Sequence, residues 1–180
     1  MNCKRQAFIQ AKKLREDAIP LSYAHAGDSG MDVYACAIKR LDDNKKLYEV
    51  PDLDEWHIMP HETVLVCTGW AVSIPRNTEL QVRLTSGNGL KTKMRIPNAP
   101  GTIDQGYRGE IGVILENTSE EIFVLKKNAK VAQLVLCPII KAVIKETDEL
   151  DDTDRNDAGY GSTGSMVQDK KPNNIAAQLK

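Results

Sequence analysis

Apolar and polar residues alternate strictly over Glu79-Leu80-Gln81-Val82-Arg83-Leu84-Thr85, a period of two that predicts a half-buried strand. The densest apolar run is Thr-Val-Leu-Val-Cys-Thr-Gly-Trp-Ala-Val-Ser-Ile over 63–74, interrupted at Gly69. Residues 7–14, 31–38, 110–117 and 122–125 add four further strands, separated by polar turns at 75–78, 118–121 and 126–130. From Val131 to Ile144 the chain is apolar, with Gln133 as the polar residue set inside it. Pro138 excludes one regular helix there, and the Val and Ile content predicts a bent strand pair. Helical periodicity is almost absent. Many short strands with regular turns make an all-β barrel or jelly roll.

Two regions depart from this rhythm. Residues 39–60 are polar, then acidic and bounded by Pro51 and Pro60, and read as a long surface loop or an extended hairpin. From Glu146 onward the chain is acidic and then rich in Gly, Ser and Thr up to Ser165. We therefore divide it into a β domain over 1–154, a glycine-rich motif over 155–165 and a disordered tail, or at most a short terminal helix, over 166–180.

Composition narrows the function. The 180 residues carry 24 basic and 25 acidic side chains, which leaves no overall basic face for nucleic acid. No apolar run is long enough to cross a bilayer, and Met1-Asn2-Cys3-Lys4-Arg5 leads into no signal peptide. Cys3, Cys36, Cys67 and Cys137 are widely spaced with no C-x-x-C pair, and read as reduced cytosolic thiols, the last three inside apolar strands. The expected location is cytoplasmic, with neither membrane nor nucleic acid as partner.

Candidate chemistry centres on residues 97–110, Pro-Asn-Ala-Pro-Gly-Thr-Ile-Asp-Gln-Gly-Tyr-Arg-Gly-Glu. The Asp-Gln-Gly turn between Ile103 and Tyr107 predicts a β-hairpin whose backbone could pair with the edge of a flat ligand. It carries one carboxylate, Asp104, and one ring, Tyr107: either a binding pocket with a general base, or an ordinary surface hairpin. Ser86-Gly87-Asn88-Gly89 with nearby Lys91 and Lys93 forms a small-residue loop that either cradles an anion or simply turns. Asp32, an acid in an apolar strand, needs a partner or a purpose. In the tail, Arg155, Tyr160 and the hydroxyls around Gly161 and Ser162 either order over a ligand or belong to a plain linker. His57 and His61 have helical metal-ligand spacing, but Pro60 between them argues against that helix.

Five stretches, taken in order, resemble the trimeric dUTP pyrophosphatase (dUTPase) family: Gly30-Met31-Asp32-Val33-Tyr34-Ala35, Ser86-Gly87, Gly101 through Gly109, Val131-Ala132-Gln133-Leu134, and Arg155 through Gly164. The resemblance spans roughly residues 7–165. It implies a jelly-roll-like distorted β-barrel, a homotrimer with shared active sites, and Mg2+-dependent hydrolysis of dUTP to dUMP and pyrophosphate. It implies that Asp104 deprotonates the attacking water. The backbone at Thr102 and Ile103, helped by Asn98, would read uracil, and Tyr107 would sit against the deoxyribose. Ser86, Gly87 and Gln133 would contact phosphates, with Arg155, Tyr160, Gly161 and Ser162 closing the site. Asp32 would support the metal indirectly, through water.

Departures from that family mark the alternatives. Thr85 stands where the family usually has arginine, which removes a bidentate phosphate clamp that Arg83, Lys91 or Lys93 would have to replace. Asn156 and Ala158 stand where glycines are usual, and residues 39–60 are longer than the family core needs. These features admit a catalytically weakened nucleotide-binding regulator, or a hydrolase of another or modified deoxynucleotide. The related dCTP deaminases carry a catalytic Glu at the position of Ile114, so deamination is disfavoured.

Overall fold

The computed structural model describes residues 7–157 and is built almost entirely from short antiparallel strands. Its first strands are β1 (Gln10–Lys13), β2 (Met31–Tyr34), β3 (Ala37–Leu41), β4 (Leu47–Glu49) and β5 (Glu55–Ile58). They are followed by β6 (Thr63–Cys67), β7 (Trp70–Ser73) and β8 (Thr78–Arg83). A short helix α1 (Ser86–Lys91) leads to β9 (Met94–Arg95) and β10 (Gly101–Ile103), then β11 (Gly112–Asn117), β12 (Phe123–Lys126) and β13 (Lys130–Pro138). One sheet runs β10-β8-β13-β2 and another β4-β3-β6-β11-β9, with two-stranded ribbons β1-β7 and β12-β5. The expected all-β, jelly-roll-like class holds.

Alternation decides what is inside. Leu80 and Val82 of β8, Val64 and Val66 of β6, and Val113 and Leu115 of β11 project into one shared core. Asn117 ends β11 inside that core, and its amide donates to the carbonyls of Ile58, Met59 and Glu121 at 3.1, 3.2 and 2.7 Å. A buried amide is tolerable there because it satisfies backbone acceptors at the end of β5.

Several expected elements change. Residues 31–38 form two strands in different sheets, since Ala35 and Cys36 turn the chain: their N–H groups donate to Ala129 and Cys67. Cys36 therefore lies at a bend, not inside a strand. The segment 39–60 is not only surface: β3 and β4 form the hairpin, but Trp56 and Ile58 of β5 are core residues, 2% and 0% exposed. Residues 131–144 give one strand, not a pair; β13 lies between β2 and β8 and ends at Pro138, which cannot donate to the ladder.

The chain divides into two units, residues 1–141 and 142–180. In the second, the described residues 142–157 contain no strand or helix and are organised by local turns. Thr153 N donates to Asn156 Oδ1 at 2.7 Å, and Asn156 N donates back to Thr153 Oγ1 at 3.0 Å. Asn156 has φ +41°, a region asparagine tolerates better than most residues. Among the described residues no helix is long and apolar enough to cross a membrane.

Candidate active site

β10 lies at the edge of its sheet, paired with β8 on one side only. Among the described residues the backbone groups on its other side have no strand partner, as at a sheet edge that can receive a ligand. Beyond Ile103 the chain makes a tight turn, with Tyr107 N donating to Asp104 O at 3.0 Å. The expected hairpin does not form. The return segment leaves this sheet and enters β11, which pairs with β6 and β9. The turn is thus a corner between two sheets, and a cavity of about 230 Å3 opens beside it.

Asn98, Thr102, Ile103, Asp104 and Tyr107 all line that cavity, as do Leu65, Val82, Ile96 and Ile114. An apolar floor with a few polar groups at the rim is the usual form of a small-molecule site. Its volume lies below the roughly 300–1,000 Å3 of drug-sized pockets, which suits one ring and a sugar with the rest of the ligand outside. Gly101 keeps the strand close: a Cβ there would stand 3.3 Å from both Asn98 Nδ2 and Val82 Cβ. Ile114 presents a hydrocarbon to the cavity where a deaminase would need an acid.

Asp104 is exposed at the cavity mouth, and its carboxylate makes no hydrogen bond or ion pair with the described residues. Arg108 ties the turn, its Nη1 donating to the carbonyls of Gln105 and Tyr107 at 2.7 Å each. Gln105 Oε1 accepts from Asn77 N at 3.1 Å, docking the same turn onto the loop before β8. Tyr107 folds back so that its hydroxyl donates to Glu110 O at 3.0 Å. The lack of a side chain at Gly109 permits this, since a Cβ there would lie 2.4 Å from Tyr107 Oη.

Glu110 also lines the cavity, although sequence reasoning missed it as a site residue. Its Oε1 accepts from Arg15 Nε and from Gly69 N, both at 2.8 Å. Burial pushes the Glu110 carboxyl up, but Arg15 and the Gly69 N–H together hold it below its usual range. Its only signal along the chain is an acid immediately after Gly109.

A second group gathers around α1. The predicted loop at Ser86–Lys91 is a helical turn, because Thr85 caps it: Asn88 N donates to Thr85 Oγ1 at 3.3 Å. Thr85, at the position where the resemblance leads one to expect an arginine, thus has a structural task. Ser86 and Gly87 are exposed at the start of this turn. Gln133 reaches toward it, Nε2 donating to Leu84 O at 3.5 Å. Gly30 packs on Gln133 so tightly that a Cβ would stand 2.3 Å from its Oε1.

In the β2-β13-β8 register, Gln133 lies opposite both Asp32 and Arg83, which puts the three side chains in one row on one face of the sheet. Arg83 is exposed there, its Nε donating to Gln81 Oε1 at 2.9 Å. Asp32 is buried and ion-paired to Lys130 Nζ at 2.5 Å, the partner its position demanded. Hydrogen bonding to Asp32 raises the Lys130 pKa.

Among the described residues, none of Ser86, Gly87, Gln133 or Asp32 lines the cavity that holds Asp104. The chain therefore carries two groups of expected site residues, not one. Arg155 lies in the second unit. Tyr160, Gly161 and Ser162 lie outside the described residues. His57 and His61 each approach a carboxylate instead of each other, Glu55 at 3.4 Å and Glu120 at 3.0 Å.

Comparison with known proteins bears on both groups. A family model described as dUTPase matches residues 47–164. A deoxyuridine 5'-triphosphate nucleotidohydrolase of Clostridium kluyveri is 42% identical over 158 residues, 88% of this chain and 99% of its own. One from Alkaliphilus metalliredigens is 42% identical over 156 residues, 87% and 96% of the two chains. Among solved structures, a Staphylococcus bacteriophage 80alpha dUTPase with dUPNHPP superposes with a TM-score of 0.68 at 24% identity, covering 88% of this chain and 99% of that one. A mutant dUTPase from phage phi11 of S. aureus, described as coordinating a structural Mg(II) ion, gives 0.64 at 23% identity, covering 81% and 99%.

Proposed function

The chain belongs to the dUTPase family, and on that premise we propose that it hydrolyses dUTP to dUMP and pyrophosphate, limiting uracil in DNA and supplying dUMP for dTMP synthesis. One observation carries the assignment of residues: five expected site residues within a short stretch converge on one cavity, with a carboxylate at its mouth that is unpaired among the described residues. The open edge of β10 at Thr102 and Ile103, with Asn98, reads the uracil edge. Tyr107 lies against the deoxyribose and leaves no room for a 2′-hydroxyl. Asp104 takes a proton from a water molecule as its oxygen attacks the α-phosphorus. The bond from that phosphorus to the bridging oxygen of the β-phosphate breaks, and pyrophosphate leaves with the electron pair.

The phosphates extend from this cavity to the second group, where Ser86, Gly87 and Gln133 contact them. Arg83, in the same row as Gln133, is the cation best placed to stand in for the arginine replaced by Thr85. The second group does not line the cavity within one chain, which supports the reading that the complete site is shared between copies in a homotrimer. Arg155, Tyr160, Gly161 and Ser162 close over the nucleotide from the tail.

The donor set fits a magnesium ion carried by the substrate. Among the described residues no three His, Cys, Asp or Glu side chains converge, and Asp32 is already paired with Lys130. A hard cation with retained water suits triphosphate oxygens, with Asp32 reaching it only through water. Bound there, it would neutralise the triphosphate and fix its geometry. Free Cys36, Cys67 and Cys137 agree with a reducing, cytoplasmic location.

The test is pyrophosphate release with magnesium against dUTP, dTTP, dCTP and UTP, for the wild type and Asp104→Asn. The wild type converts dUTP alone, and the variant binds dUTP but loses at least about a hundredfold in kcat. Unchanged turnover in the variant removes Asp104 as the base. A folded wild type silent on dUTP moves the assignment to a nucleotide-binding regulator or to another deoxynucleotide.

A further inference from the structure

Arg15 lies just beyond β1, far in sequence from the cavity, yet its guanidinium spans two carboxylates. Nη1 and Nη2 donate to Glu49 Oε1 and Oε2 at 2.8 and 2.7 Å. Nε and Nη2 donate to Glu110 Oε1 and Oε2 at 2.8 and 3.2 Å. Two bidentate pairs on one arginine fix the plane of the guanidinium and both acids at once. The side chain is 23% exposed and that of Glu110 17%, so the inner pair is screened less than a surface bridge.

Gly69 completes a closed ring of contacts. Its carbonyl accepts from Leu14 N at 2.8 Å, and its own N–H donates to Glu110 Oε1 at 2.8 Å. Its φ is +77°, and a Cβ at this position would stand 2.4 Å from Ala18 Cβ, so only glycine fits. Ile111, next to Glu110, is held as well: its N–H donates to Trp70 O at 2.7 Å and its carbonyl accepts from Thr68 Oγ1 at 2.8 Å. Glu110 is thus fixed through its carboxylate and through its neighbour, and its own carbonyl is the acceptor for Tyr107.

We propose that Arg15 is a positioning residue for sugar discrimination: by clamping Glu110 to Glu49 it sets the carbonyl that holds the Tyr107 ring at the cavity wall. This rests on the dUTP-hydrolysis reading for its substrate, but the geometry from Arg15 to Tyr107 stands without it. Through Glu49 the clamp also ties the β3–β4 hairpin to the cavity, which gives residues 39–49 a task at the site.

The experiment compares wild type, Arg15→Gln, Arg15→Lys and Glu49→Gln by kcat and KM on dUTP and UTP, and by NMR of 13C-labelled tyrosine with the Tyr107 signal assigned from Tyr107→Phe. Lys127→Ala serves as control, since it breaks ion pairs to Asp17 and Asp52 and does not line the cavity. Arg15→Gln shifts or broadens the Tyr107 signal and lowers the dUTP-over-UTP ratio of kcat/KM about tenfold, the worth of one charged hydrogen bond. Arg15→Lys restores part of both, Glu49→Gln lies between, and Lys127→Ala lowers thermal stability with both readouts unchanged. Equal losses on dUTP and UTP, or a Tyr107 signal unmoved in Arg15→Gln, overturn the proposal. A wild type without dUTP turnover defeats the functional reading instead, and the Tyr107 signal alone then decides whether Arg15 positions the ring.

Discussion

Replacing Gly109 with alanine separates the stability of the corner from its chemistry. The added Cβ would stand 2.4 Å from Tyr107 Oη, 2.6 Å from Cζ and 3.0 Å from Cε2, whereas ordinary contact begins near 3.4 Å. The ring has to retreat by about 1 Å, and the 3.0 Å bond from its hydroxyl to Glu110 O then exceeds hydrogen-bonding distance. Tyr107 is 46% exposed, so the ring can swing into solvent. The lost hydrogen bond costs about 0.5–1.5 kcal/mol. Gly109 lacks a positive φ, so the reduced freedom of the unfolded chain returns about 0.4–1 kcal/mol. The net change in stability is near zero. The change in catalysis is not, because a wall displaced by about 1 Å misplaces the bound sugar, and a misplacement of that size costs about a hundredfold in rate. The assay is pyrophosphate release from dUTP and UTP, run beside thermal denaturation. An alanine variant whose kcat/KM and dUTP preference stay within about threefold of wild type would refute the placement of Tyr107 at the reacting nucleotide.

Two further outcomes test the rest of the reasoning. Trp56→Ala removes a core side chain from the segment that looked like an insertion; chemical denaturation gives a loss of about 3–5 kcal/mol, and a loss under about 1 kcal/mol makes residues 39–60 dispensable. Acid should loosen the Arg15 clamp: Glu110 and Glu49 both titrate below their ordinary value of 4.5 in the folded chain, so their contribution is full above that value and lost as pH falls through the folded values. Urea denaturation from neutral pH down to about 3 shows Glu110→Gln less stable at neutrality, with the two curves meeting in acid. Parallel curves would dismiss the clamp as a source of stability.

The strands were legible because one face of each is buried. Alternation over 79–85 and 110–117 gives β8 and β11 within a few residues. What failed were the places where local pattern says nothing about partners. The turn between Ile103 and Tyr107 looks like that of a hairpin, but β10 pairs back with β8 and β11 pairs with β6, and no local signal names those partners. Residues 31–38 read as one strand because Ala35 and Cys36 are apolar, although they mark the crossing between sheets. Trp56 was hidden by its acidic neighbours Asp54 and Glu55, a polar frame around one core residue. At the site, Asp104 and Tyr107 announce themselves by residue type and turn. Arg15 and Glu110 do not, because they act across 95 residues of sequence.

The separation of the two groups is the most consequential feature of the architecture. A nucleoside triphosphate is a single ligand with a base at one end and phosphates at the other. Residues suited to the base and sugar line the cavity beside β10, and residues suited to phosphates lie on β2 and β13 and at the start of α1. β8 joins the two: Val82 lines the cavity, while Leu84 and the Thr85 cap lead into α1. A site complete within one chain would need no partner for turnover. We read the two groups as halves of one site that meet when one copy presents its phosphate group to another copy's cavity. On that reading the proposed trimer is part of the chemistry, since the base-and-sugar cavity of one copy then works with the phosphate group of another.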